Sequence, residues 1–411
     1  MLLSSLSSSL PVNQILAFNN RIKARVKAGE SLHNLTIGDF DPGIFPIPTA
    51  LEAAIIKAYR NKQTSYPMAE GNAELRAAVS GFVSKKLSVD YTPSDILVAA
   101  GGRPLIYATY RVIVDPGDKV IYPVPSWNNQ YYTVFTNAVP CIVETGAGDF
   151  FMPTAGLLEP HIKDAVLIAL CSPQNPTGTC FTKKQLEDIC DLVIAENKRR
   201  GPEAKKLYIM YDQIYNLLTY GDAAYVHPVG IRPEMKNYVI YIDAISKSFA
   251  ATGVRVGWAY GPADVISKMK LVLSYIGAWA PMPEQVAVAE FLNDTDAVDH
   301  FLYYLKNALQ NRLNLLYKGL MQMKQEGLPV DAIAPEASLY LSFKIEVDMD
   351  LSGVLLEEAG IAVLPFPLFG AGHAAGWYRM SVGTCRLESI PTVLKKLRTV
   401  IGQVVADTTH G

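Results

Sequence analysis

The chain contains no run of about 18 apolar residues, the least that a membrane-spanning helix needs, although half of its 411 residues are hydrophobic. A membrane span is therefore not expected, while material for a packed interior is ample. Cysteine is scarce: the five residues at 141, 171, 180, 190 and 385 form no CxxC pair and no cysteine–histidine cluster, so neither a disulfide frame nor a metal site is expected. Net charge is scarce too. Lys and Arg number 37 against 39 Asp and Glu, a balance of -2 that recruits neither nucleic acid nor an anionic membrane surface. The opening, Met1 to Leu10, is rich in serine and leucine but lacks the basic start and long apolar stretch of a secretory signal. These absences leave a cytoplasmic protein with reduced thiols whose partners are small molecules.

What is present is organised in two parts. The length exceeds one typical domain, and the expected division is an N-terminal arm and part of a small domain over 1–47, a large domain over 48–285 and a small C-terminal domain over 286–411. Between about 49 and 261, helical and strand patterns alternate. Helices are expected over 51–61, before the Asp115-Pro116-Gly117-Asp118 turn and over 183–197, and strands over 96–100, 119–122, 165–171, 206–211 and 238–242. Short apolar runs separated by helices indicate a mostly parallel sheet covered on both faces, with functional residues just past the strand ends. Beyond Pro281 one long helix is expected over 284–324, then a half-exposed strand over 338–345, a helix over 351–359, a strand over 361–364 and a last helix over 390–405. A helix over 13–29 is expected to pack with this smaller lobe.

Three segments carry chemistry. Lys247 is followed by Gly253 at six positions and Arg255 at eight, a spacing that suits an amine beside a bound phosphate. Such an amine, with an ordinary pKa near ~10.4, becomes a nucleophile where burial or neighbouring cations depress that value. Ser172-Pro173-Gln174-Asn175-Pro176-Thr177-Gly178 and Tyr211-Asp212-Gln213-Ile214-Tyr215 each trail an apolar run that reads as a buried strand. Together the three resemble fold type I pyridoxal-phosphate enzymes, the class I/II aminotransferases, closest to the aspartate aminotransferase branch.

The resemblance covers nearly the whole chain. It implies an α/β fold whose large domain holds a mostly parallel seven-stranded sheet between helices, plus a smaller α/β domain built from both termini. It implies pyridoxal 5'-phosphate as cofactor, an L-amino acid and a 2-oxo acid as substrates, and a homodimer. By position, Lys247 becomes the Schiff-base lysine and proton shuttle. Asp212 meets the pyridine nitrogen, where a carboxylate keeps the ring an electron sink; Tyr215 and Asn175 face the phenolic oxygen. Gly101 and Gly102, between a predicted strand and helix, suit an anion through free backbone N–H groups and the helix dipole, or are plain turn residues. Ser246 and Arg255 complete the phosphate site, and Tyr66 reaches the phosphate of the neighbouring subunit. Trp127 stacks on the ring, a buried core tryptophan being the alternative.

For substrate, Arg379 grips the α-carboxylate as a bidentate fork, with a surface charge on an edge strand as the other reading. Gly38 offers its N–H to the same carboxylate, and Trp127 and Asn175 flank it. Two positions depart from the pattern. Ala244 stands where a phosphate-binding serine or threonine is usual, and Arg103, followed by Pro104, stands where a lysine commonly meets the distal carboxylate of a dicarboxylic substrate. Arg103 either takes that role, which favours aspartate and 2-oxoglutarate, or caps the helix or binds phosphate. A β-eliminating C–S lyase, an aromatic or aliphatic aminotransferase and a non-catalytic ligand sensor are the competing readings.

Overall fold

Seven strands make up the larger sheet of the computed structural model, which describes residues 3–10, 14–347 and 349–410. In chain order they are β1 (Ile96–Ala99), β2 (Lys119–Val124), β3 (Val139–Glu144), β4 (Ala165–Cys171), β5 (Tyr208–Asp212), β6 (Val239–Ala244) and β7 (Gly257–Tyr260). Their spatial order is β1-β7-β6-β5-β4-β2-β3, with β7 antiparallel to both neighbours and the other pairs parallel. The seven-stranded, mostly parallel sheet is thus as the sequence implies. β4 and β6 are buried along almost their whole length, because helices cover both faces. Alternate residues feed two cores: Val239 and Tyr241 pack on one side of the sheet, Ile240 and Ile242 on the other.

The helices needed here are α1 (Gln14–Lys27), α2 (Thr49–Arg60), α3 (Ala73–Leu87), α4 (Gly102–Ile113), α5 (Lys183–Arg200), α6 (Ala263–Ile276), α7 (Met282–Asn293), α8 (Thr295–Gln325), α9 (Ser352–Glu358) and α10 (Ile390–His410). Their starts follow local chemistry. Asn72 caps α3 by accepting from the Leu75 N–H, and Thr182 and Gln185 close a reciprocal box at the start of α5.

A four-stranded antiparallel sheet forms the second part, in the order β10 (Leu364–Pro365), β11 (Trp377–Ser381), β9 (Tyr340–Ile345), β8 (Val330–Ala332). The pair His33–Asn34 adds in parallel to Ile361–Ala362. On α1, Phe18 and Ile22 pack with Leu356 and Ala362, so the N-terminal helix rides on this lobe. Asn13, where that helix was expected to begin, lies outside the described residues.

Three expectations are corrected. The helix expected over 284–324 is two helices, α7 and α8, which meet at Asp294; the Asp294 side chain accepts from the Ala297 N–H and starts the second. The strand expected to be half-exposed, β9, is buried at every position but Lys344, because its polar member Ser342 donates to the Thr177 carbonyl instead of meeting water. The strand expected over 361–364 is interrupted, its first half pairing with the N-terminal segment and its second with β11.

Candidate active site

At the C-terminal ends of β1, β4, β5 and β6 lies a cavity of about 520 Å³. Gly38, Gly102, Arg103, Trp127, Asn175, Asp212, Tyr215, Ser246, Lys247, Arg255 and Arg379, all singled out from sequence, line it together. Gly101 stands behind the wall and Tyr66 outside it, 88% exposed and edge-on to Trp279.

Lys247 sits in the single turn Ile245–Ser248 that follows β6, and its amine donates to the Gly38 carbonyl at 2.5 Å. Its pKa is lowered to about 8, by burial first and by the Arg379, Arg103 and Arg255 guanidiniums, with Asp39 opposing them. A larger neutral fraction at neutral pH follows, as a carbonyl-directed nucleophile requires. Asp212, the last residue of β5, accepts from the Ile214 N–H at 3.1 Å. Enclosure by protein raises its carboxyl to about 6, against the pull of that hydrogen bond and of Lys247. Its surface is only partly covered because the carboxylate opens onto the cavity itself.

The phosphate end is built from close backbone packing. Gly101 (φ +85°) leaves space for Arg255: a Cβ there would lie 2.2 Å from Nη2 of that guanidinium. A Cβ on Gly257 would come within 2.6 Å of the Gly101 carbonyl carbon, so two glycines bring β1, β7 and the arginine together. Arg255 itself holds a left-handed backbone (φ +60°), a strained state for a non-glycine residue. It donates to the Thr252 and Ala100 carbonyls at 2.8 and 3.0 Å. Gly102 opens α4, whose first N–H groups and dipole add to the positive field. Gly101 thus makes room for the cation without lining the site. Ser246 lines the cavity, whereas Ala244 is buried and does not.

Across the cavity Arg379 occupies β11, an inner strand flanked by β9 and β10, where its residue is 2% exposed. The edge-strand reading is thereby excluded. Nη1 donates to Asn175 Oδ1 at 2.8 Å, Nη2 to the Thr36 carbonyl, and Nε has no partner. The guanidinium lies 4.5 Å from the Tyr340 ring centroid and 5.0 Å from that of Phe369. Among the described residues no carboxylate pairs with it, and a buried cation in that condition is costly until an anion arrives. Arg103, exposed at the mouth, has its guanidinium 6.0 Å from the Trp127 ring. Tyr215 and Tyr340 share a hydroxyl hydrogen bond of 2.8 Å.

Sequence reading missed several members. Tyr340 packs on Gly38, where a Cβ would meet its hydroxyl at 2.5 Å; it was seen only as part of a strand. Asp39, beside Gly38, accepts from Thr252 Oγ1 at 2.6 Å and tethers the N-terminal segment to the lysine loop. An acid directly after that glycine was the available signal. Thr36 acts through its carbonyl, which no side-chain pattern reveals.

The residues present fit pyridoxal phosphate. The cradle of Arg255 over Gly101 and the helix start suit the phosphate, Trp127 the ring face, Asp212 the ring nitrogen, and Lys247 the aldehyde. Arg379, a buried cation with no carboxylate partner among the described residues, suits an anion at a separate end of the cavity.

Comparison with known proteins agrees. The model of the family described as aminotransferase class I and II matches residues 30–397. An aspartate aminotransferase of Geobacillus stearothermophilus is 27% identical, over 97% of this chain and 98% of its own length. A probable N-acetyl-LL-diaminopimelate aminotransferase of Bacillus subtilis is 29% identical, over 96% and 95%. The structure of aspartate aminotransferase from Thermus thermophilus with maleate superposes with a TM-score of 0.87 at 26% identity, covering 97% of this chain and all of that one.

Proposed function

The chain belongs to the class I and II aminotransferases, pyridoxal-phosphate enzymes that move an amino group from an amino acid to a 2-oxo acid, and from that premise we propose aspartate and 2-oxoglutarate as its leading substrate pair. The observation that carries this choice is a pair of arginines, Arg379 and Arg103, opening onto one cavity with, among the described residues, no carboxylate partner on either. Two unpaired guanidiniums suit a substrate with a carboxylate at each end. Support comes also from the Thermus relative, whose bound maleate carries two carboxylates.

In this reading the cofactor, when bound, supplies an aldehyde for the amino group and a ring that withdraws electrons. Lys247 holds that aldehyde and later takes the proton from the substrate α-carbon with its Nζ. Asp212 faces the ring nitrogen, Tyr215 and Asn175 the phenolic oxygen, and Gly102, Ser246 and Arg255 the phosphate. Asn175 has a second task, since its Oδ1 orients Arg379. Arg379 binds the α-carboxylate together with the Gly38 N–H, and Arg103 closes on the distal carboxylate beside Trp127. The homodimer belongs to the same reading: Tyr66, Met68 and Tyr275 are 88, 65 and 87% exposed, large side chains open to a second copy whose site receives Tyr66. Five free thiols suit a reducing cytoplasm.

A panel of amino donors with 2-oxoglutarate tests the substrate assignment, with glutamate formation as the readout. Aspartate is expected to lead, and R103A to lose at least about tenfold more kcat/KM for aspartate than for alanine or phenylalanine, an interaction of roughly 1.4 kcal/mol or more. Equal losses for both classes would remove Arg103 from substrate recognition and with it the dicarboxylate assignment.

A further inference from the structure

Behind the strand end that carries Asp212 lies a second carboxylate that the proposed chemistry does not use. Asp243 is on β6, one strand over, and points away from the cavity, whose wall Ile242 forms. It is 2% exposed. Its Oδ2 accepts from Asn216 Nδ2 at 2.7 Å and from Gln213 Nε2 at 3.2 Å, and its Oδ1 from the Ala244 N–H at 2.7 Å. Two of these donors belong to residues 213–216, the turn that leaves Asp212 and contains Tyr215.

The orientation of the Gln213 amide is set by the groups around it. Tyr225 donates its hydroxyl hydrogen to Gln213 Oε1 at 2.6 Å, so both Nε2 hydrogens of Gln213 point the other way, to Asp243 and to the Tyr260 hydroxyl at 2.9 Å. Tyr260 accepts there, and its hydroxyl lies 3.3 Å from His227 Nε2. Asp243 therefore receives three hydrogens, and among the described residues no acceptor stands opposite for one of its own. The network suits the carboxylate anion, although among the described residues no cation pairs with it and burial favours the neutral acid. Burying an anion in this way is costly, and what the two bonds from Gln213 and Asn216 achieve is to tie the turn after β5 to the strand that leads, four residues later, into Lys247.

We infer that Asp243 is a positioning residue: from the far face of the sheet it clamps the 213–216 turn to β6, so that Asp212 and Tyr215 meet the cofactor in one fixed relation to Lys247. This rests on the proposed placement of Asp212 and Tyr215 against the cofactor.

The test compares D243A, D243N, N216A and D212A by pyridoxal-phosphate affinity, visible absorption of the bound cofactor, and thermal unfolding of the cofactor-free chains. D243A is expected to weaken cofactor affinity about tenfold or more and to lower kcat more than it raises KM, because small displacements of catalytic groups are expensive. D243N keeps an oxygen toward Gln213 and Asn216 and loses only the bond from the Ala244 N–H, so it is expected to recover most of that loss. N216A is expected to move the same readouts in the same direction by a smaller factor. Unchanged affinity and absorption in a folded D243A would overturn the inference, as would an unchanged N216A should D243A fail to fold. A D212A chain that binds and absorbs as the unmodified protein does would overturn the placement of Asp212 and this clamp with it, whereas a damaged D212A beside an intact D243A would sink the clamp alone.

Discussion

Lys247 and Asp212 line one cavity with displaced proton affinities, and each displacement sets a pH dependence. The lysine amine attacks only when neutral, and its pKa is lowered to about 8. Uptake of pyridoxal phosphate by the cofactor-free protein should accelerate as pH rises, with its midpoint near 8, followed in stopped-flow absorbance; a rate flat from pH 7 to 9 would contradict a buried, cation-ringed amine. The Asp212 carboxyl, raised to about 6, is neutral at lower pH and then cannot stabilise a protonated ring nitrogen, so cofactor affinity should fall as pH drops through 6. In the cofactor-free protein the sign for folding is the reverse. Between about 4 and about 6 the folded state keeps a proton that the unfolded state has released, so this group's contribution to stability declines as pH rises through that window. Denaturant titrations at pH 4 and pH 6 measure it.

Arg379 gives the third residue-scale prediction. R379A should cost about 2–5 kcal/mol in kcat/KM, the usual loss on truncating a buried charged hydrogen-bonding group, with cofactor affinity changed much less. Sequence was informative here because Lys247, Asp212 and Arg379 each stand among distinctive neighbours. It was silent on Thr36, which uses its backbone oxygen, and on Tyr340, which reaches Gly38 and Tyr215 from a strand distant in the chain.

Elements were legible where burial was two-sided. β4 reads as seven apolar or small residues in succession, and the structure ends it where the pattern ends. β3 and β7 were missed for opposite reasons: β3 is an exposed sheet edge that begins Val-Pro, and β7 is only four residues long and begins with glycine. The break between α7 and α8 escaped notice because apolar periodicity runs across it, whereas the break depends on a single cap. D294A removes that cap and should cost about 1 kcal/mol of stability in thermal or denaturant unfolding. G257A strikes the junction of β1 and β7. Its methyl would meet backbone atoms of Gly101 at 2.6 and 2.9 Å, so about 1–3 kcal/mol of destabilisation is expected, together with weakened phosphate binding read from cofactor affinity.

At the scale of the molecule, the count of seven strands was implied by resemblance and the second lobe by its own pattern of helices and strands, whereas the sheet order was not legible, since pairing between strands far apart in sequence leaves no local trace. The homodimer is testable by complementation. K247A and Y66A chains, each impaired alone, should regain activity when co-expressed, in about a quarter of sites, because one of the two sites in a mixed dimer would contain both side chains. No recovery from a mixed dimer would place Tyr66 outside the chemistry.

The stretch that matches the family starts at residue 30, yet Ile15 and Asn19 of α1 line the cavity. A chain shortened to begin at residue 30 would thus retain its lysine, its arginines and both sheets while one flank of the substrate chamber stood open to bulk water. Such a truncation should still take up the coenzyme but show a several-fold higher KM, and a KM unchanged in steady-state assays would leave the amino-terminal helix outside substrate binding.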